Sequence, residues 1–298
     1  MRFAKGHGTG NDFLILPDPE GAMMPSPGLV ARLCDRRTGL GADGILRAVR
    51  VRAAGTAVPG GAAGPSGEAE WFMDYRNADG SVAEMCGNGV RVFARYLLEH
   101  GLAHGPELAL ATRAGLRLVR AEPDGQFTVD MGAPVVGGHA TAVIGAGRYD
   151  GLAVSLGNPH LACVVDRPLA EFDLTAAPAV DHGQFPDGVN VEVVRVLGER
   201  RLEMRVHERG SGETLSCGTG AVAAAVAAAA AAGPSAGNGH ARPADAWTVE
   251  VPGGTLTVTL SSTTSLLTGP AVIVAEGELD QSWLAAQTAA SAAVTYPA

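Results

Sequence analysis

The sequence predicts an α+β protein with an internal pseudo-repeat, and three observations carry that reading. Many short β-patterned runs fill its 298 residues without regular alternation with helices, which argues against a doubly wound parallel sheet. Two long helix-like runs stand out, one in each half. Both open on the same device, Cys-Gly-X-Gly, at Cys86–Gly89 (CGNG) and Cys217–Gly220 (CGTG).

Taken in order, RFAK and FLIL read as strands around the Gly-rich turn GHGTGND. Leu29–Cys34 reads as a short helix, and DRRTGLGADGIL as a loop running into a strand. Residues 53–69 are rich in Gly, Ala and Pro and predict a flexible hairpin insertion. EWFMDYRN alternates as a strand. Gly87–His100 predicts a helix whose apolar positions wrap more than one face, stopped by Gly101. ELALAT, LRLVRAE and FTVDMG follow as short strands, and residues 137–150 as a loop with one more. GLAVSLGNPHLACVV, VNVEVVRVL and RLEMRVHERG continue the strand series.

Gly218–Ala232 is the second helix, closed by Gly233 and Pro234. Its side chains are almost all small and none is charged, so it must be enclosed. Residues 234–245 predict a polar loop, WTVEVPGGTLTVTL a hairpin and AVIVAEGEL a late strand. The tail beyond Trp283 is expected to fray. Domain boundaries are expected to give residues 1–130 plus 270–298 as one domain and 131–269 as the other.

Composition narrows the function. Net charge is −9, only 18% of residues are charged, and no Lys/Arg block occurs, so nucleic acid is not the expected partner. The alanine run at residues 221–232 is too short to span a bilayer, which needs roughly 20 residues. The opening MRFAKGHGTGNDFLIL has no apolar signal core, so a cytoplasmic protein is expected, with no membrane partner. Four scattered cysteines without a CxxC pair do not make a disulfide scaffold.

A cysteine just before a helix feels the positive end of the dipole and the unsatisfied N–H groups of the first turn. Both favour thiolate, so both thiol pKa values are expected to fall. The glycines allow a ligand close to the backbone, and such a turn suits a carboxylate. Two such turns predict a two-base proton transfer at an amino-acid α-carbon: one thiolate removes the proton and the other thiol delivers one to the opposite face. No cofactor is needed, and Lys5 is the only lysine that could carry a pyridoxal Schiff base. No metal-ligand spacing emerges around His160 or His207. Cys34 and Cys163 read as core residues.

Six further motifs carry a resemblance. KGHGTGNDF (Lys5–Phe13), DRRTGLGAD (Asp35–Asp43), NADGSVAEMCGNGVR (Asn77–Arg91), GNPH (Gly157–His160), GVNVE (Gly188–Glu192) and ERGSGETLSCGTG (Glu208–Gly220) occur in the order found in the diaminopimelate epimerase family. The chain resembles that family over nearly its whole length. The resemblance implies two similar domains, each a mostly antiparallel, barrel-like sheet around a central buried helix, with the site in the cleft between them. It implies conversion of LL- to meso-diaminopimelate without cofactor, in lysine and peptidoglycan biosynthesis, by a homodimer.

By the same resemblance Cys86 and Cys217 are the acid/base pair, with Glu208 and His160 beside the reacting centre. Gly87, Asn88, Gly218 and Thr219 present N–H groups to the α-carboxylate. Asn11, Asn77, Asn158, Asn190, Glu208 and Arg209 contact the rest of the substrate, where amides and one arginine test charge and handedness. Gly44 departs from relatives that carry a substrate-contacting glutamine there. The competing readings are a racemase of another amino acid on the same fold, a non-catalytic binding protein, and a nicotinamide-dependent oxidoreductase. Retention of both cysteines and of the asparagine/arginine set favours the epimerase.

Overall fold

A computed structural model describes residues 1–60, 62, 68–233 and 245–293. In chain order its elements are β1 (Arg2–Gly8), β2 (Asn11–Pro17), α1 (Pro27–Cys34), β3 (Gly44–Arg50), α2 (Val51–Ala54), β4 (Trp71–Asn77), α3 (Gly87–Glu99), β5 (Glu107–Thr112) and β6 (Gly115–Ala121). There follow β7 (Phe127–Gly132), β8 (Val135–Ile144), β9 (Gly147–Ser155), β10 (Pro159–Val164), β11 (Asn190–Gly198), β12 (Arg201–Glu208) and β13 (Gly212–Thr214). The chain ends with α4 (Gly218–Ala231), β14 (Asp245–Val251), β15 (Gly254–Leu260), β16 (Ser265–Gly269), β17 (Val272–Glu278) and α5 (Gln281–Ala293). It is a sheet-dominated α+β fold.

The chain divides into two compact units. One comprises Met1–Gly8, Asp12–Gly125 and Ala271–Ala298; the other comprises Thr9–Asn11 and Gln126–Pro270. The first unit orders its strands β17-β1-β2-β3-β4-β5-β6. The second orders them β8-β9-β10-β11-β12-β14-β15-β16-β7, with β13 folded back on β12. The repeat is visible in the pairing. β2 is parallel to β3, β3 antiparallel to β4, and α3 crosses over to β5, which lies parallel to β4. β10 is likewise parallel to β11, β11 antiparallel to β12, and α4 crosses over to β14, parallel to β12. A parallel neighbour requires a long crossover, and each buried helix supplies one.

Each helix is enclosed by its own strands. Helix α4 touches β9, β10, β11, β12, β14, β15 and β16. Its residues Gly218–Ala225 are all buried, and small side chains let strands approach from all around. Alanine also has the best helix propensity. Helix α3 packs against β1, β3, β6 and β17, burying Gly87–Ala94, Tyr96 and Leu97. Gly101, at φ +63°, donates its N–H to Leu98 and ends that helix.

Strands β10 and β11 are buried on both faces over residues 160–163 and 190–194, so their period-2 alternation separates two environments. Leu161, Cys163, Val191 and Val193 face a core with Phe172, Leu174 and Phe185. His160 and Glu192 take the opposite alternation, toward α4. In the first unit, Arg47 on β3 is buried between Asp18 (3.0 Å) and Asp74 (2.9 Å), and Asp74 also accepts from Arg113.

Three expectations need revision. Residues 137–150 are not mainly loop: β8 and β9 form a long hairpin, offset by a register shift between Val136 and His139. The consecutive glycines Gly137 and Gly138 sit at that irregularity. The segment from Trp283 continues in helix α5, because Trp283 and Leu284 pack against the cluster of Leu29, Val30 and Leu33 on α1. The 53–69 stretch begins in helix and 3-10 turn rather than hairpin strand; residues 61 and 63–67, the 234–244 loop and the last residues lie outside the described set.

Candidate active site

The two cysteines occupy the same backbone position. Cys86 is the N-cap of α3 at φ −141°, ψ 121°, and Cys217 the N-cap of α4 at φ −122°, ψ 119°. Extended geometry at an N-cap aims the side chain at the first helical turn, whose N–H groups have no partner within the helix. The Cys217 Sγ accepts from the Gly220 N–H at 3.4 Å, whereas Cys86 makes no such bond.

Around Cys217 the second unit assembles a polar cluster. The Thr219 hydroxyl lies 3.4 Å from Sγ and accepts from Asn158 Nδ2 at 3.2 Å. Glu208, at the end of β12, is in hydrogen-bonding contact with the thiol and accepts from the Thr214 hydroxyl. His160 and Glu192 are fully buried and bonded, Nδ1 to Oε1, at 2.6 Å. Donor atoms of His160, Glu192 and Cys217 all lie within 4.8 Å of one another. Asn190 pairs with His160 across the parallel β10–β11 ladder, and its Oδ1 accepts from the Arg209 N–H at 2.9 Å. The Arg209 guanidinium donates to the Asp187 carbonyl.

The turn before β2 is tied to the same unit. Thr9, at φ +52°, donates its hydroxyl to Ser216, the residue before Cys217. Gly253 is glycine of necessity, since a Cβ there would fall 1.7 Å from the Thr9 carbonyl oxygen. Gly10, at φ +82°, completes the turn, and Asn11 beside it in the chain is buried.

In the first unit, Asn77 ends β4 and donates its amide to Ser81 within the NADGS turn. Gly87 and Asn88 are buried in the first turn of α3. The Asn88 Oδ1 accepts from Arg91 Nη2 at 2.9 Å. Gly44 is packed as glycine: a Cβ would lie 2.5 Å from the Arg76 carbonyl and 2.8 Å from the Tyr75 ring. A longer side chain does not fit there without a shift of β4.

Electrostatics correct one expectation. The helix N-terminus was expected to lower both thiols, but Cys217 is pushed well above its ordinary value, first by burial and then by the charges of Glu208 and Glu192. Burial likewise raises Glu208, against the Thr214 hydrogen bond, and raises Glu192, against the His160 contact. A helix dipole worth about 0.3–1 kcal/mol does not outweigh full burial beside carboxylates.

Sequence reading did not single out two side chains that the structure brings into these clusters. One is Glu192; the other is Arg91, fully buried on α3. Burial lowers Arg91 to about 10, and the negative charge of a Cys86 thiolate acts in the opposite direction. The available signal was a lone charge in an apolar run, VNVEVV for one and VRVF for the other.

The fold defines a class of two-unit, sheet-dominated α+β proteins with a buried crossover helix in each unit. A hydroxyproline epimerase from Agrobacterium vitis superposes with a TM-score of 0.65 at 16% identity, over 93% of this chain and 91% of its own. A Bacillus anthracis PhzF-family phenazine biosynthesis protein does so with a TM-score of 0.68 at 16% identity, over 94% and 99%. At such identity these neighbours establish the fold alone. The family profile described as diaminopimelate epimerase matches residues 3–137 and 152–274. The diaminopimelate epimerase of Thermobifida fusca is 57% identical over 94% of this chain and 98% of its own, and that of Streptomyces coelicolor 52% over 95% and 97%. The chain belongs to the diaminopimelate epimerase family and is an isomerase. Among the described residues no helix is long and apolar enough to cross a membrane.

Proposed function

We propose that this protein interconverts LL- and meso-2,6-diaminopimelate by a two-cysteine, cofactor-independent proton transfer. The observation that carries the reading is the pair of N-cap cysteines, Cys86 and Cys217, repeated in register on the two buried crossover helices of a chain from this family. One cysteine, as thiolate, removes the α-proton; the other, as thiol, returns a proton to the opposite face. The N–H groups of Gly87, Asn88, Gly218 and Thr219 hold the α-carboxylate and stabilise charge developing toward it. Glu208 and His160 support the reacting centre. Asn11, Asn77, Asn158, Asn190 and Arg209 read the distal amino-acid group.

On this reading each compact unit is one catalytic half, with boundaries near residues 130 and 270. The enzyme works in the cytoplasm as a homodimer and supplies lysine and peptidoglycan synthesis. The test is incubation of reduced, cofactor-free protein with LL-diaminopimelate in heavy water. Meso product carrying one deuterium at Cα per inversion is expected. Folded, reduced protein that neither exchanges nor inverts this substrate overturns the reading and directs the search to other amino acids.

A further inference from the structure

Glu208 ends β12 with its carboxyl against the Cys217 thiol, and a very short strand is built beside it. That strand is β13, which folds back on β12 so that Gly212 pairs with Glu208, Glu213 with His207 and Thr214 with Val206. Side chains alternate along a strand, so Thr214 shares a face with Val206 and Glu208, and Glu213 shares the other with Arg205 and His207. Diagonal neighbours across an antiparallel pair are within reach of each other. Both diagonals are used here. On one face the Thr214 hydroxyl donates to Glu208 Oε1. On the other, Arg205 Nε donates to Glu213 Oε1 at 2.7 Å.

The anchor on the second face reaches further. Arg205 Nη1 also donates to the backbone carbonyls of Leu169 at 2.6 Å and Phe172 at 2.8 Å, two residues whose side chains belong to the core of the second unit. Strand β13 is thus tied to the core on one face and presents a single hydroxyl to Glu208 on the other. The groups that face Glu208 are Thr214 on β13, His160 on β10, Cys217 at the start of α4 and Glu192 on β11. Burial is the largest influence on its carboxyl and raises it; the Thr214 hydrogen bond is the first of those that lower it, ahead of His160 and Cys217. A hydroxyl can support a carboxylate in this way without placing another charge beside the thiol.

We infer that Thr214 is a positioning residue: its hydroxyl holds the Glu208 carboxylate against the Cys217 thiol as a hydrogen-bond acceptor, and the Arg205–Glu213 pair holds the strand that carries it. An acceptor fixed beside the thiol sets the direction of its S–H bond. Without the hydroxyl, Glu208 takes up a proton at higher pH and loses one of the two contacts that fix its carboxyl. The inference rests on the proposed function for its catalytic consequence, but the titration of Glu208 is a property of the resting protein.

The test combines carboxyl NMR with pH profiles. Protein labelled with ¹³Cδ-glutamate, with Glu208 assigned by comparison with E208Q, reports the titration of that carboxyl. T214V keeps the β-branched shape and removes the hydroxyl, so its Glu208 is expected to titrate at higher pH than in wild type. A carboxylate is lost as pH falls through its pKa, so the acid limb of the kcat profile on LL-diaminopimelate is expected to move to higher pH as well. At the wild-type optimum kcat is expected to fall about tenfold, the scale of a lost hydrogen bond to a charged group, with a smaller change in KM. T214S retains the hydroxyl and is expected to restore both the limb and the rate. A T214V enzyme with wild-type kcat, one slowed equally at every pH, or a T214S enzyme as impaired as T214V each overturns the inference and leaves the epimerase reading intact. A wild-type Glu208 that stays protonated at neutral pH overturns it even if no variant folds. Wild type with no activity on diaminopimelate overturns the epimerase reading instead, and the carboxyl titrations still decide what Thr214 does.

Discussion

Cys86 and Cys217 begin their helices with nearly the same backbone angles and the same Gly-X-Gly sequel, yet their surroundings differ in charge. Beside Cys86 lies Arg91, a fully buried cation reaching Asn88 in the same turn. Around Cys217 lie two carboxylates, Glu208 and Glu192, and the thiol caps its own helix through Gly220. A repeated fold has thus been given two opposite electrostatic environments. For the proposed two-cysteine transfer, a buried cation beside one sulfur and carboxylates beside the other bias which of them rests as thiolate. The difference teaches that the helix N-terminus sets where each sulfur points, while neighbouring side chains decide its charge.

The largest effect breaks the pair itself. Cys86→Ala and Cys217→Ala are each expected to lower epimerisation by about 10³-fold or more, since each removes one of two proton-transfer groups. Unchanged circular dichroism and unfolding midpoint would show that the fold remains. A variant retaining even a tenth of the wild-type rate would end the two-cysteine mechanism.

The comparison sharpens against the other two cysteines. Cys34 and Cys163 are both pushed up to about 12 by burial. An unfolded thiol ionises near about 8.5. The folded value is the higher one, so the stability these thiols contribute is complete below the unfolded value and is lost as pH rises toward the folded value. Above pH about 9 the unfolded chain releases protons that the native state keeps. Each thiol should then steepen the loss of stability by about 1.4 kcal/mol per pH unit. Urea unfolding of reduced protein between about pH 9 and 11 should show a flatter slope for Cys163→Ala than for wild type. Parallel slopes would mean that Cys163 ionises in the folded state.

How far this asymmetry was legible beforehand depends on where its determinants lie. The cysteines, glycines and helix starts could be read because each signature is local: a cap residue, a Gly-X-Gly turn, an apolar run and a stop. The many short strands and the hairpin of β14 and β15 could be read for the same reason. Glu192 acquires its partner from the parallel register of β10 and β11, which brings it to a histidine 32 residues earlier, and no local pattern encodes that pairing. The raised Cys217 thiol is likewise a product of burial that only the assembled strands create. Helix α5 escaped notice because its Ala/Ser/Thr composition has little amphipathic signal; its packing depends on Trp283 meeting α1.

Arg91 offers a direct test of the charge difference. Arg91→Leu removes the cation beside Cys86 and leaves the Cys217 cluster untouched. Alkylation of Cys86 by iodoacetamide, followed by peptide mass spectrometry, is expected to slow about tenfold, because the cation that stabilises a thiolate there is gone. The Cys217 rate in the same samples serves as the internal control. Equal rates at Cys86 in variant and wild type would show that the guanidinium does not act on the sulfur.

The smallest effects come from the second glycine of each turn, where the two environments differ in space as well as charge. A Cβ on Gly220 would sit 2.7 Å from Glu192 Oε1 and 3.2 Å from Cys217 Cβ. Gly220→Ala is therefore expected to destabilise the protein by about 1–3 kcal/mol, the usual range for overpacking a core. A Cβ on Gly89 would meet Leu46 at 3.4 Å and Cys86 Cβ and Phe13 at 3.5 Å, which is ordinary contact. Gly89→Ala gains helix propensity and loses unfolded-state entropy, so it should be neutral or stabilising by up to about 1 kcal/mol. Paired urea titrations decide the matter. If the two substitutions cost the same, the space around Gly220 is not set by the buried carboxylate, and the asymmetry of the two turns is confined to charge.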